Sequence, residues 1–149
     1  MMRLKPDKIE WTAQRVELPR IDTAALGRWI AAVAAAHGRI LGEITYIFCD
    51  DSRIIEVNRE FLQHDYYTDI ITFDYSRGQL IRGDMFISLD TVATNAEQVG
   101  AAYVDELNRV IIHGILHLCG INDKGPGERE IMERHENEAL AMLAEYLKQ

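Results

Sequence analysis

Hydrophobic and polar residues recur along the chain with periods that predict four strands and five helices. Short apolar or alternating runs predict the strands at residues 9–17, 43–49, 70–75 and 80–89. Apolar residues at helical spacing, bounded by capping residues and glycines, predict helices at residues 22–37, 50–62, 91–99, 103–119 and 128–147.

The order of these elements predicts the fold class. The turn at residues 76–79 joins two strands into a hairpin, and residues 9–17 are expected to form an edge strand. Strands come mainly early and helices fall on both sides of them. We therefore expect one α+β domain over residues 1–149, with a mixed sheet flanked by helices in αβα layers.

Composition excludes several protein classes. With 149 residues, 48% of them hydrophobic, the chain can bury a core without crosslinks. Two cysteines, Cys49 and Cys119, are too few for a disulfide scaffold and fit reduced thiols. The charged N-terminal segment has no apolar h-region and no apolar run is long enough to span a bilayer, so we expect a cytoplasmic protein without membrane contact.

The net charge of −8 bears on the choice of partner. Proteins that coat nucleic acid neutralise phosphates with Lys and Arg and are usually basic. The acidic balance therefore argues against broad nucleic-acid coating and against a DNA partner, but it leaves a local basic groove open.

Residues 113–123, HGILHLCGIND, carry the clearest chemistry. His113 and His117 are four apart, so a helix places both imidazoles on one face. Gly120 ends the helix, and the chain can fold back to deliver Asp123 as a third ligand. We therefore predict one divalent ion on these three side chains, with Zn²⁺ preferred.

Nearby residues give alternatives for the third ligand. Cys119 is predicted to face away from the metal and fill the core. His135 lies in a charged helix and is expected on a solvated face, although it is a fallback ligand. Asn122 would point inward only if the loop register differed, and a neutral amide is a poor zinc ligand.

The spacing is similar to the HExxHxxGxxH signature of metzincin proteases. The glutamate that serves those proteases as general base is replaced by Gly114, and the third ligand is an aspartate. Three protein ligands leave a position open for water, as a catalytic zinc site requires.

The motifs together resemble the YbeY family of bacterial endoribonucleases. That family carries HGxLHLxGxDH, which HGILHLCGIND matches except at its end. Further matches lie upstream of the histidines. They are Asn58 in the second helix, the strand motifs TDIITF at residues 68–73 and GDM at residues 83–85, and Glu106. The resemblance covers about residues 45–145.

The resemblance implies both an activity and partners. It implies a zinc-type ion and a single-strand-specific endoribonuclease that matures the 3′ end of 16S ribosomal RNA and acts in ribosome quality control. The implied partners are the ribosomal RNA precursor and the small ribosomal subunit. The acidic charge favours additional contact with a ribosomal protein or a GTPase.

Two departures from the family pattern affect the expected site. Asp123 replaces the last histidine of the motif, and Leu62 stands where the family has an arginine. Phosphate would then be bound by another cation, and the candidates are Arg59, His64, Arg77, Arg82 and Lys124. Asp69 or Asp84 could assist as a base, although a structural role is also open for each.

Two other functions remain open from the sequence. One is a metal-dependent peptidase or amidase, which the missing glutamate at position 114 argues against. The other is a non-catalytic ribosome-assembly factor in which a structural metal pins the last helix to the sheet. Structural zinc sites are usually closed by four ligands, so a fourth ligand such as His135 would favour this alternative.

Overall fold

A mixed four-stranded sheet organises the computed structural model, which describes residues 8–64 and 68–148. The sheet order is β1-β2-β4-β3. Strand β2 pairs in parallel with β1 and with β4, whereas β3 runs antiparallel to β4. The predicted hairpin and the predicted edge position of the first strand are confirmed. The strands are β1 (Ile9–Ala13), β2 (Ile40–Cys49), β3 (Ile70–Asp74) and β4 (Leu80–Ser88).

Five helices are found in the described part of the chain. They are α1 (Thr23–Ala36), α2 (Asp51–Leu62), α3 (Leu89–Val99), α4 (Tyr103–Leu118) and α5 (Glu128–Leu147). None of them combines the length and the apolar character needed to cross a bilayer. The expected domain also included residues 1–7, 65–67 and 149, which lie outside the described residues.

Helices cover both faces of the sheet, as an α+β domain with a mixed sheet requires. On one face, α1, α4 and α5 bury their apolar residues against the central strands and form the main core. On the other face, α2 packs Ile54 and Val57 against Ile71, with Phe73 and Phe86 alongside. This arrangement confirms the predicted fold class.

Polar side chains fix where several helices begin. The Asp22 carboxylate accepts a hydrogen bond from the Ala25 amide at 3.0 Å, and Asp50 does the same for the Arg53 amide at 2.8 Å. These bonds satisfy amides that the first helical turn leaves unpaired. Asp22 and Asp50 are therefore the N-caps of α1 and α2.

Three predicted boundaries were wrong by a few residues. Strand β1 ends at Ala13 instead of residue 17, because Arg15 adopts a left-handed backbone with φ 66° that a strand does not allow. Strand β2 begins three residues early, with a register shift between Leu41 and Ile44. Helix α3 begins at Leu89 because Ser88 caps it through the Thr91 amide.

Long-range hydrogen bonds hold α4 in place under the sheet. The Tyr46 hydroxyl on β2 donates to the Ile111 carbonyl at 2.8 Å in the core. Arg39, just before β2, donates to the Cys119 carbonyl at 3.0 Å and so satisfies the C-terminal end of the helix. The central helix is therefore tied to the sheet at its middle and at its end.

Candidate metal centre and groove

Helix α4 carries both motif histidines on a largely buried element. Its apolar positions pack into the main core, whereas His113 and His117 remain half-buried at the edge of that packing. Being four residues apart, the two rings lie one helical turn apart on the same side. The predicted helical placement of the pair is confirmed.

The bend after α4 returns the chain to the histidine face. Gly120 has φ 94°, which glycine adopts without strain, and its amide donates to the His117 carbonyl at 3.0 Å. The Ile121 amide donates to the Leu116 carbonyl at 3.1 Å, which completes a Schellman motif. As a result, Oδ2 of Asp123 lies 3.3 Å from Nε2 of His113.

A second carboxylate contacts the other nitrogen of the same ring. Oε2 of Glu136, on α5, lies 2.7 Å from Nδ1 of His113. Arg109, one turn before His113 on α4, donates to the other Glu136 oxygen at 2.9 Å. His113 therefore sits between Glu136 and Asp123.

These neighbours shift the pKa values of the pair in opposite directions. Burial lowers the pKa of His113. The hydrogen bond and charge of Glu136, with the charges of Asp123 and Asp69, have a larger opposite effect, so the pKa of His113 is raised overall. Burial raises the pKa of Glu136. Hydrogen bonds from His113 and Arg109 outweigh the effect of burial, so the pKa of Glu136 is lowered overall. The structure thus favours an ionised Glu136.

The donor chemistry around His113 fits a divalent metal in part. An imidazole nitrogen faces a carboxylate oxygen, and a further carboxylate on the opposite ring nitrogen is the usual support for a metal-binding histidine. Within residues 8–64 and 68–148, however, no three His, Cys, Asp or Glu side chains already form a metal-binding group. His113 and Asp123 are paired, whereas His117 does not yet share that contact.

A groove of about 890 Å³ opens beside His113, between α3, α4 and α5. Asp69 and Asp123 line it together with His113, so the structure brings these three predicted residues to one place. The lining is acidic, because two arginines, Arg109 and Arg129, face six carboxylates. Those carboxylates are Asp69, Asp105, Glu106, Asp123, Glu133 and Glu136.

Two of the groove carboxylates have raised pKa values. Burial raises the pKa of Asp69, although the nearby His113 opposes the shift. Burial, and then the charge of Asp69, raise the pKa of Glu106. Asn95 lies 3.5 Å from the Asp69 carboxylate, and the Asp69 carbonyl accepts a hydrogen bond from the Ser88 amide at 2.9 Å. Asp69 is therefore held beside the site with a carboxyl group that ionises less readily.

Asp84 lies on the other face of the sheet from the motif histidines. A side chain at the preceding residue, Gly83, would contact Leu118 of α4, and successive strand residues point to opposite faces. Asp84 pairs across the hairpin with Phe73, which packs against the α2 cluster, and it hydrogen-bonds the Tyr75 hydroxyl. The structure thus does not bring Asp84 to His113, because the sheet lies between them.

The candidate phosphate-binding cations are dispersed. Arg82 shares the strand face of Asp84, and Arg77 lies in the exposed turn of the hairpin. Arg59 and His64 are exposed at the C-terminal end of α2, which covers that same sheet face. Lys124 is exposed and directly follows Asp123 in the chain.

Glu136 was missed by the sequence analysis, and His135 beside it was misplaced. The prediction of a solvated face for His135 was wrong, because its ring is half-buried and lies 5.0 Å from the His37 ring. The buried residues Met132, Glu136, Ala139 and Leu143 follow helical spacing. A glutamate on that apolar stripe was the signal that could have revealed Glu136.

Two secondary predictions about this region agree with the structure. Cys119 is buried in the main core, as expected for a small core residue. Asn122 is exposed, so the loop register directs Asp123 inward. The loop therefore presents the carboxylate that the sequence favoured.

The fold and the site define an α+β domain with a histidine pair on a central helix and a carboxylate returned by a glycine bend. The family model described as Endoribonuclease YbeY matches residues 9–144. The chain therefore belongs to the YbeY family, whose described activity is hydrolysis of RNA, and the resemblance noted from the motifs is confirmed.

Curated relatives agree with this membership. The Endoribonuclease YbeY of Bacteroides thetaiotaomicron is 66% identical over 134 residues, which cover 90% of this chain and 98% of the relative. The protein of the same name from Parabacteroides distasonis is 64% identical over 137 residues, covering 92% and 96%. Among solved structures, that of TM1509 from Thermotoga maritima matches with a TM-score of 0.65 at 21% identity, covering 94% of this chain and 91% of that one. This likeness shows the shared fold.

Proposed function

We propose that this chain is a single-strand-specific, metal-dependent endoribonuclease that matures the 3′ end of 16S ribosomal RNA and acts in ribosome quality control. Family membership supports the RNA-cleaving activity. The observation that carries the metal dependence is the 3.3 Å contact between Nε2 of His113 and Oδ2 of Asp123. The proposed substrate, a ribosomal RNA precursor on the small subunit, places the activity in the cytoplasm.

The proposed ion is Zn²⁺, held by His113, His117 and Asp123. When bound, such an ion stabilises negative charge on a phosphate and makes water more acidic. Three protein ligands are the usual number for a catalytic zinc site. Asp123 is a carboxylate where the family motif has a neutral imidazole, so it adds one negative charge to the ligand set.

The protein side chains supply proton transfer and substrate binding. Asp69 lines the same groove as His113, and burial raises the pKa of its carboxyl group, which suits it to hold a proton during the reaction. Lys124 directly follows Asp123 in the sequence and is a proposed phosphate contact. Arg59, His64 and Arg82 would meet RNA on the far face of the sheet.

The acidic groove supports specificity for single strands. A protein that tracks a duplex needs a continuous row of cations. Here six carboxylates line the groove beside His113, and the candidate cations are dispersed. We infer that RNA contacts the protein locally, through a strand that can bend to reach the site, and that a ribosomal protein or a GTPase provides further docking.

The test uses purified protein, matched single-stranded and duplex RNA, and a ribosomal RNA precursor. Wild-type protein should contain zinc and cleave the single strand and the precursor, but not the duplex. His117→Ala should lose both the metal and the cleavage, whereas the control His135→Gln should keep both. Cleavage that survives His117→Ala and chelation would contradict a metal-dependent mechanism.

A further inference from the structure

A buried carboxylate on α5 is the most unusual group near the site. Glu136 is 8% exposed and lies on the apolar stripe of its helix, where a charge is costly unless it is paired. Oε2 of Glu136 lies 2.7 Å from Nδ1 of His113. The metal-ligand prediction from the motif did not require this contact.

Arg109 fixes the orientation of the Glu136 carboxylate. Its Nη1 donates to Oε1 of Glu136 at 2.9 Å, and its Nη2 donates to the Asn137 side chain at 2.8 Å. Both oxygens of Glu136 are therefore engaged, one by Arg109 and one by His113. A carboxylate held at both oxygens cannot rotate away from the imidazole without breaking a charged hydrogen bond.

The contact has a consequence for the tautomer of His113. Because an ionised carboxylate only accepts hydrogen bonds, Nδ1 must carry the proton that the bond requires. In the neutral ring the lone pair is then at Nε2, the nitrogen that lies 3.3 Å from Oδ2 of Asp123. A histidine that ligates through Nε2 needs this tautomer.

We propose that Glu136 is a positioning residue that holds His113 in its Nδ1–H tautomer and directs Nε2 toward Asp123 for metal binding. This inference rests on the proposed metal site. It assigns to α5 the task of orienting a ligand on α4, with Arg109 as the residue that orients Glu136.

The competing explanation is an ion pair that merely joins α4 to α5. Arg109 and Glu136 alone would serve that purpose, and loss of Glu136 would then lower stability without changing the protonated nitrogen of His113. The two explanations therefore differ in the tautomer and in metal affinity, and stability does not distinguish them.

The first measurement is the ¹⁵N spectrum of the histidine rings in metal-free protein at alkaline pH, where the rings are neutral. Wild-type protein and the control Glu145→Gln, an exposed glutamate of α5, should show the Nδ1–H tautomer at His113. Glu136→Ala should shift the ring toward the Nε2–H tautomer, and so should Glu136→Gln, because Arg109 takes the single amide oxygen and the amide NH₂ is then left to donate to Nδ1. An Nε2–H tautomer in the wild type, or no change in Glu136→Ala, would overturn the inference.

The second measurement is zinc affinity by competition with a chelator. Glu136→Ala and Glu136→Gln should both bind about 10–100-fold more weakly, since neither accepts a hydrogen bond from Nδ1, and Glu145→Gln should match the wild type. If the wild type binds zinc and Glu136→Ala binds it equally well, the inference fails while the proposed function stands. If the wild type binds no metal, the proposed function fails together with the ligand role inferred for His113.

Discussion

Gly114 of α4 approaches Met85 of β4 so closely that a Cβ atom at position 114 would overlap the Met85 sulfur. The same Cβ would lie 3.0 Å from Cδ1 of Ile70 on β3. Glycine therefore lets the central helix lie close against the sheet. In the metzincin signature the corresponding residue is the catalytic glutamate, but here that position faces the strands. This packing argues against the peptidase alternative.

Substitution of Gly114 should destabilise the fold. Alanine improves helix propensity by about 1 kcal/mol, but overpacking of a buried position costs roughly 1–3 kcal/mol, so we expect Gly114→Ala to lower the free energy of unfolding. Gly114→Glu should lower it much further, because a charged side chain would be forced between α4 and the sheet. Urea unfolding followed by circular dichroism measures both changes.

A double-mutant cycle tests whether contact with Met85 causes the loss of stability in Gly114→Ala. Met85→Ala alone should cost roughly 2–5 kcal/mol by leaving a cavity, which the new methyl group of Gly114→Ala would partly fill. The double variant should then be more stable than the sum of the two single effects predicts, by at least about 0.5 kcal/mol. Additive effects would show that Met85 does not limit the residue at 114.

The sequence predicted the elements better than their arrangement. Apolar periods and capping residues such as Asp22 are local, so helix and strand bounds came within a few residues of the structure. The order β1-β2-β4-β3 depends on parallel pairing between distant strands, which no local pattern encodes. Without that order, the sequence could not show that Asp84 faces away from α4.

Apart from Asp69, which a strand motif indicated, the site was predictable where one continuous segment builds it. His113, Gly120 and Asp123 lie within eleven residues, and helical spacing with a glycine bend was enough to predict their contact. Glu136 comes from the next helix, and its approach depends on how α5 packs on α4. The charges of α5 suggested a solvated face for its neighbour His135, although the place of Glu136 on the apolar stripe indicated burial.

Removal of the Asp123 carboxylate should weaken metal binding. Asp123→Ala deletes a proposed ligand, so zinc affinity should fall by more than the about 10–100-fold expected for an outer residue. Asp123→His restores the histidine of the family motif and should retain binding. Chelator competition measures both variants, and an Asp123→Ala protein with wild-type affinity would exclude Asp123 as a ligand.

Both cysteines should be unreactive in the folded protein. Burial raises the pKa of Cys119 to about 11 and that of Cys49 to about 12, so few thiolates form near neutral pH. A thiol reagent should label neither residue until the protein is unfolded in denaturant, when both should react. Adding zinc should leave the labelling of the folded protein unchanged. Protection of Cys119 by zinc alone would instead indicate that it binds the metal.

The His37–His135 pair should make stability depend on pH. The rings lie 5.0 Å apart at the end of α1, where burial, and then the charges of His135 and Arg39, lower the pKa of His37 while Glu138 opposes the shift. A histidine with a lowered pKa binds protons more readily in the unfolded chain. Its contribution to stability is therefore complete above the ordinary pKa of 6.5 and is lost as the pH falls through the lower folded value.

Thermal unfolding between neutral and mildly acidic pH measures this contribution. His37→Gln should flatten the fall in melting temperature, by an amount equivalent to less than about 1 kcal/mol because the pair is partly screened by solvent. Glu138→Gln should steepen the fall, because it removes the carboxylate that favours protonated His37. Equal slopes in the wild type and both variants would show that the charge of His37 does not affect folding, since opposite changes are expected from the two substitutions.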